Sequence, residues 1–241
     1  MYYLKQKQAG FTLVEIAIVL VIIGLLLGGI LKGQELINSA RVRNLADQNS
    51  GIQAAYYGFI DRYRQVPGDW LESAADTAIG VAINSPTAGG NEGNGRIDSA
   101  DWEEASAVWE QLSKAGFIQG SYDGGATGAG DYTSPVNAFN GQLLLARMVD
   151  FMTAGNAIST SERLALVIGD NIPVSIAREL DVKVDDSLPN TGILRIAPPT
   201  GTGTMDFDPI SGSSSANCVI AADEEYDIAN DAQGCNLVFL Y

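Results

Sequence analysis

Glu15 is the one ionisable side chain in residues 10–31, GFTLVEIAIVLVIIGLLLGGIL. A carboxylate at mid-bilayer costs about 2.5–3.5 kcal/mol on insertion scales, so a chain that keeps one in an apolar span has a partner for it. The chemistry this implies is ion pairing in a dry environment rather than catalysis. It points to a membrane-anchored subunit that later leaves the membrane to join an assembly. The sequence contains no histidine, which removes the commonest general base and zinc ligand. Ser-His and Cys-His nucleophilic catalysis are excluded, and no pair of carboxylates stands out. The expectation is a protein that is not an enzyme and carries no cofactor.

Three other groups of residues could do chemistry. Cys218 and Cys235 are the only cysteines. In a translocated domain a lone pair most simply forms one disulfide, and the alternative is two separate free thiols. Residues 91–98, NEGNGRID, alternate oxygen side chains around glycines as a calcium loop does. Aligning Gly95 with the invariant glycine of such a loop puts Gly90 where the first acid belongs and Asp101 where a bidentate Glu belongs. The match is broken, and a polar turn leading into a capped helix is the expected reading. Whether the segment from Asn91 to Asp101 holds a metal stays unknown at this level. Asp181, Asp185 and Asp186 form an acidic cluster that reads as solvated surface.

These residues must be positioned by a small set of elements. Residues 11–31 would make a helix of about 31 Å at 1.5 Å per residue, which matches the roughly 30 Å hydrocarbon core of a bilayer. Lys5 and Lys7 precede it, placing that end in the cytoplasm and the rest outside. The helix continues as an amphipathic segment in which Leu36, Ile37, Leu45, Ile52, Tyr56, Phe59, Tyr63 and Val66 recur at three-, four- and seven-residue spacing. Pro67 and Gly68 stop it, giving a helix from Phe11 to Arg64 of about 80 Å. Residues 86–95 and 120–130 are glycine-rich loops. Between them, 99–114 reads as a helix capped by Ser99 or Asp98, with Trp102, Ala105, Val108, Trp109 and Leu112 as its apolar stripe. Residues 142–149, 164–168, 192–197 and 236–241 are strand-like, and Pro173 opens a helix to about Val182. Residues 198–217 form a long polar loop.

Ala9-Gly10-Phe11-Thr12-Leu13-Val14-Glu15 resembles the prepilin cleavage and methylation motif of type IV pilins and type II secretion pseudopilins. The resemblance covers about the first 30 residues closely and the rest only in plan. It implies that a prepilin peptidase removes residues 1–10 by cutting after Gly10, and that Phe11 is then N-methylated. It also implies that Glu15 neutralises the Phe11 ammonium of a neighbouring subunit. An ordinary signal peptide fits poorly, because here the polar-to-apolar junction precedes the apolar run and no A-x-A-like site follows it. The resemblance supports the Cys218–Cys235 bond, since many type IV pilins close a C-terminal loop with such a pair. It suggests that the stretch around Gly24, Gly28, Gly29 and Gly33 unwinds on assembly; many pilins carry proline where this chain has Lys32.

The expected fold is α+β and pilin-like: a leader at 1–10, an apolar anchor at 11–34, and an amphipathic helix plus globular head at 35–241. The expected partners are further copies of the chain in a helical filament, the prepilin peptidase, the pilus or secretion assembly machinery, and the membrane before assembly. The precursor would sit in the bacterial inner membrane and the product in an extracellular filament. A pseudopilin of a secretion or competence system, a minor adhesive tip pilin, and a membrane-tethered enzyme or binding protein are the alternatives. Loss of residues 1–10 removes two lysines and no acid, so the formal charge moves from −15 to −17. That balance argues against binding to nucleic acid or anionic lipid.

Overall fold

The computed structural model describes residues 13–88, 90–99, 101–169, 171–198, 215–220 and 224–241. Among these residues, four α-helices, α1 (Leu13–Tyr63), α2 (Glu72–Ile79), α3 (Trp102–Lys114) and α4 (Val174–Val184), accompany eight strands. The strands are β1 (Leu144–Met148), β2 (Met152–Thr153), β3 (Ala157–Ile158), β4 (Arg163–Val167), β5 (Leu194–Ile196), β6 (Val219–Ile220), β7 (Glu225–Tyr226) and β8 (Leu237–Leu240). The class is α+β, as expected. The chain divides into two compact units, Met1–Arg41 and Val42–Tyr241.

In the first unit, α1 carries its apolar side chains exposed, from Leu13 at 91% to Leu31 at 66%. The helix runs unbroken through Gly24, Gly28, Gly29 and Gly33. Leu36 and Ile37, expected on the buried stripe, are exposed as well. The part of α1 inside the second unit buries Val42, Leu45, Ile52, Ala55, Tyr56 and Phe59. Spacings of 3, 4 and 7 keep these residues on one face of a 3.6-residue helix. Tyr63 and Val66 are half-buried against the same core. Phe59 stacks with Tyr63, Trp70 and Phe117 at centroid distances of 4.8, 6.0 and 5.8 Å. These aromatics pack the helix onto the head. The helix ends at Tyr63, and Arg64 adopts φ +58°.

Gly68 is required by its surroundings. Its φ is +92°, and a Cβ there would lie 2.5 Å from Val108 Cγ2 and 2.7 Å from Glu104 O. Its N–H donates to Gln111 Oε1 at 2.9 Å, which ties the end of α1 to α3.

The main sheet is antiparallel with strand order β1-β4-β8-β5. Each expected strand is present within one or two residues of its expected bounds. The core joins this sheet, the inner face of α1 and the apolar faces of α3 and α4; Trp109, Phe59 and Phe239 are its largest fully buried side chains. Trp109 Nε1 donates to Tyr132 Oη at 2.6 Å, and that hydroxyl donates to Leu143 O at 2.8 Å. This relay pins Tyr132, just past the second glycine-rich loop, between α3 and the residue before β1. Tyr241 Oη donates to Asn49 Oδ1 at 2.7 Å, and Gln48 Nε2 donates to Val136 O at 3.0 Å.

One element was not expected and one local expectation is corrected. α2 has no counterpart among the expected elements; it is a short helix that buries only Ala75, and so has almost no periodic signal. The cap of α3 is Asp101 rather than Ser99 or Asp98. Asp101 Oδ1 accepts from Glu103 N at 3.0 Å and Glu104 N at 3.2 Å. Asp98 is spent elsewhere: its Oδ2 accepts from Asn94 Nδ2 at 2.7 Å, and its other oxygen pairs with Arg96.

Candidate assembly and processing site

The processing residues Gly10 and Phe11 lie outside the described residues. Glu15 is described, in the first turn of α1. An acid there is favoured by the positive end of the helix dipole. Around it Val14, Ala17, Ile18, Val21 and Ile22 line an entirely apolar surface groove. Exposed residues of this kind, continuous over several turns, demand a lipid or protein environment. The helix is long and apolar enough to cross a membrane by length and composition. A Cβ at Gly24, Gly28, Gly29 or Gly33 would meet nothing within 4 Å, so nothing within this one copy requires glycine there. Close helix approach in an assembly gives small residues a use. Lys32 Nζ pairs with Glu35 Oε2 at 2.7 Å with both side chains exposed, and such a pair is worth about 0–1 kcal/mol.

The head closes its C-terminal segment as the cysteine count suggested. Cys218 and Cys235 are joined, with S–S 2.07 Å and Cα–Cα 5.8 Å. Two carboxylates hold the closed segment down. Asp181 Oδ2 accepts from Tyr226 Oη at 2.8 Å. Glu224 accepts from Gly155 N at 2.9 Å and from Asn190 Nδ2 at 2.5 Å. The polar loop before it, 198–217, lies largely outside the described residues, and its end forms a 3-10 turn at Ser215–Asn217.

Asp181 corrects the surface reading of the acidic cluster. It is fully buried, on the face of α4 that carries Val174, Ala177 and Leu180. Asp185 is half-buried and Asp186 exposed, and oxygens of all three come within 4.8 Å of one another. Their bonds go to the adjoining loop. Asp185 Oδ2 accepts from Ile193 N and Leu194 N, and Asp186 accepts from Leu188 N and Thr191 Oγ1. The carboxylates therefore serve as a frame for residues 185–194.

The broken calcium loop is a turn organised by Asp69, a residue not singled out in the sequence. Asp69 is 3% exposed. Its carboxylate accepts from Asn94 N at 3.1 Å and Gly95 N at 2.7 Å, and its carbonyl from Gly93 N at 2.9 Å. Glu92 Oε1 accepts from Gly90 N, and Asn94 Oδ1 from Arg96 N. These side-chain oxygens address the loop's own backbone. Asp101, aligned with the bidentate position, caps α3 instead. The signal available in the sequence was Pro67-Gly68-Asp69, an acid just after a helix stop. Its partners 25 and 26 residues away could not be read there.

Burial dominates the electrostatics of these acids. Desolvation lifts Asp181 to about 7 against the bonds from Tyr226 and Ser187 N. It lifts Glu104 to about 8 against the bond from Asp98 N, with Asp101, Asp98 and Asp69 adding repulsion. Asp69 moves the same way. An acid whose folded pKa exceeds its unfolded value binds its proton more tightly when folded. Its stabilising contribution is complete below the unfolded pKa near 4 and is lost as pH rises through 7 to 8. The head is expected to melt at a higher temperature at pH 5 than at pH 8. Asp181→Asn, which keeps an acceptor for Tyr226, is expected to remove on the order of 2 kcal/mol of that difference. Calorimetry at the two pH values checks this; an unchanged difference in Asp181→Asn would contradict it.

No curated protein and no solved structure matches the chain. One family model matches, the prokaryotic N-terminal methylation motif, over residues 5–31. That segment contains Gly10, Phe11 and Glu15 and includes the start of the exposed apolar helix α1. It implies prepilin-type processing in a pilus or secretion context and fits a membrane-anchored precursor. The chain therefore carries, over residues 5–31, the signature of the type IV pilins and pseudopilins, at the head of a long apolar helix and an α+β domain with a C-terminal disulfide.

Proposed function

We propose that the protein is a structural subunit of an extracellular type IV pilus-like helical filament. A prepilin peptidase cleaves it between Gly10 and Phe11, Phe11 is N-methylated, and the anchors bundle in the filament core. Glu15 of each subunit pairs with the Phe11 ammonium of a neighbour. In this reading the protein is not an enzyme and works through assembly with its own copies. One observation carries the proposal: the methylation motif, residues 5–31, overlaps a helix from Leu13 whose apolar residues are exposed and whose first turn holds Glu15. The disulfide-closed C-terminal segment favours a surface pilus over a secretion pseudopilus, because pseudopilins more often lack such a closure.

The test is to shear filaments from the native host, image them, and identify their protein by mass spectrometry. Abundant filaments built of this chain and starting at methylated Phe11 are the expected result. The processed chain in the membrane fraction alone, or as a trace in filaments of another subunit, would replace this reading with a pseudopilin or a minor pilin.

A further inference from the structure

The two glycine-rich loops, far apart in sequence, meet at the first turn of α3. Between them lies an open cleft of about 420 Å³, lined by Asn91, Ser99, Asp101, Trp102, Glu103 and Thr127. Clefts of this volume fall in the range that takes small ligands. Its walls are held in place. Thr127 donates through both N–H and Oγ1 to Asp131 Oδ2 at 3.0 Å, and Gly128 N donates to Asp131 Oδ1 at 3.0 Å. Glu103 Oε1 accepts from Thr87 N at 2.7 Å and Thr87 Oγ1 at 2.9 Å. Ala126, the buried residue of the lining, donates its N–H to Ser106 Oγ at 3.0 Å. Trp102 is held edge-on against Tyr132, with centroids 5.5 Å apart. A site built this way loses little entropy on binding.

We propose that this cleft binds a neutral saccharide unit. Among the described residues of the lining the charged groups are Asp101 and Glu103, so phosphate, sulfate and carboxylate ligands are repelled. A cation gains little, because both acids sit at the positive end of α3 and each has an oxygen already satisfied by N–H donors. What remains is a ring of acceptors and donors beside one indole. The carboxylates and the Asn91 amide oxygen accept from hydroxyls. The Asn91 amide donates to them, and the Trp102 ring offers apolar surface to a sugar's C–H face. Sites that hydrogen-bond ligand hydroxyls discriminate strongly, because their polar groups are left unpaired by ligands that lack them.

The inference does not depend on filament formation, so the two can fail separately. The test uses the full processed chain in a detergent without a sugar headgroup. It is applied to arrayed oligomers of glucose, galactose, mannose and N-acetylglucosamine, with sialylated and sulfated glycans and a polylysine peptide alongside. Hits are followed by titration of tryptophan fluorescence. Binding to at least one neutral oligomer is expected, weakened tenfold or more by Asn91→Ala and by Glu103→Gln, both with unchanged melting temperature. Binding of charged probes alone, no neutral binding at millimolar ligand, or full binding by both variants would overturn the proposal.

Discussion

Glu15→Ala is expected to reduce filament yield at least a hundredfold while leaving the head folded. In the proposed filament the Glu15 carboxylate and the Phe11 ammonium of a neighbour are both withdrawn from water. Their attraction offsets part of that desolvation, and removing one partner leaves the other buried and uncompensated, at about 3–5 kcal/mol. Each 1.4 kcal/mol is a factor of ten in an association constant, and the loss recurs at every subunit added. The head should be indifferent to the change. Every buried apolar residue among those described lies at or beyond Val42, so the core makes no use of residue 15. The measurement is sheared filament by immunoblot beside the melting temperature of the detergent-solubilised chain. Wild-type filament yield would refute the pairing, and loss of both filament and melting transition would assign Glu15 to folding instead. Glu15→Asp, which keeps the charge on a shorter arm, should recover part of the yield.

Replacing both cysteines by serine is expected to cost the head about 3 kcal/mol, the loop-closure term for a bridge 17 residues apart. For a domain of this size that corresponds to a melting temperature lower by roughly 6–12 °C. The double replacement avoids leaving one reactive thiol. The closed segment keeps its other anchors, Asp181 to Tyr226 and Glu224 to Asn190 and Gly155, so the native fold should survive with reduced stability. Calorimetry of the oxidised chain against Cys218→Ser/Cys235→Ser decides the matter. Equal transitions would mean that those carboxylate contacts alone hold the segment in place.

The regular elements were legible because their signals are local. The apolar run marked the anchor and Pro67-Gly68 marked the end of α1. Four short apolar or β-branched runs located the strands of the main sheet. Trp102, Ala105, Val108, Trp109 and Leu112 located α3 by period alone. The inner face of α1 was only partly legible. Leu36 and Ile37 continue the stripe in sequence but are exposed, while Val42 and Ala55 are buried without having been singled out. α2 escaped because a helix of eight residues that buries one alanine leaves no period to detect. The cap moved to Asp101 because Asn94 and Arg96 had already engaged Asp98, a competition invisible to a rule about spacing.

The assembly site and the cleft stand at opposite ends of the same contrast. Glu15, Gly10 and Phe11 were singled out by the resemblance of one short contiguous motif, in which the residues that matter are adjacent. The cysteine pair was legible as one expected bond with two free thiols as the alternative, and the structure joins Cys218 to Cys235. Asp181 looked like surface because an acid usually is; burial came from the α4 face it shares with Ala177 and Leu180 and from Tyr226, 45 residues away. Asp69 gained its role from Asn94 and Gly95, and the cleft exists only because loops around residues 90 and 127 close on α3. The sequence by itself determined the apolar span and the strand positions, which follow from composition and short-range period, while its resemblance to a known motif carried the processing site and supported the cross-link. Only the tertiary structure decided which acids are buried, what holds each loop, and where two loops meet, because those outcomes depend on hydrogen bonds and packing between residues that no local pattern connects.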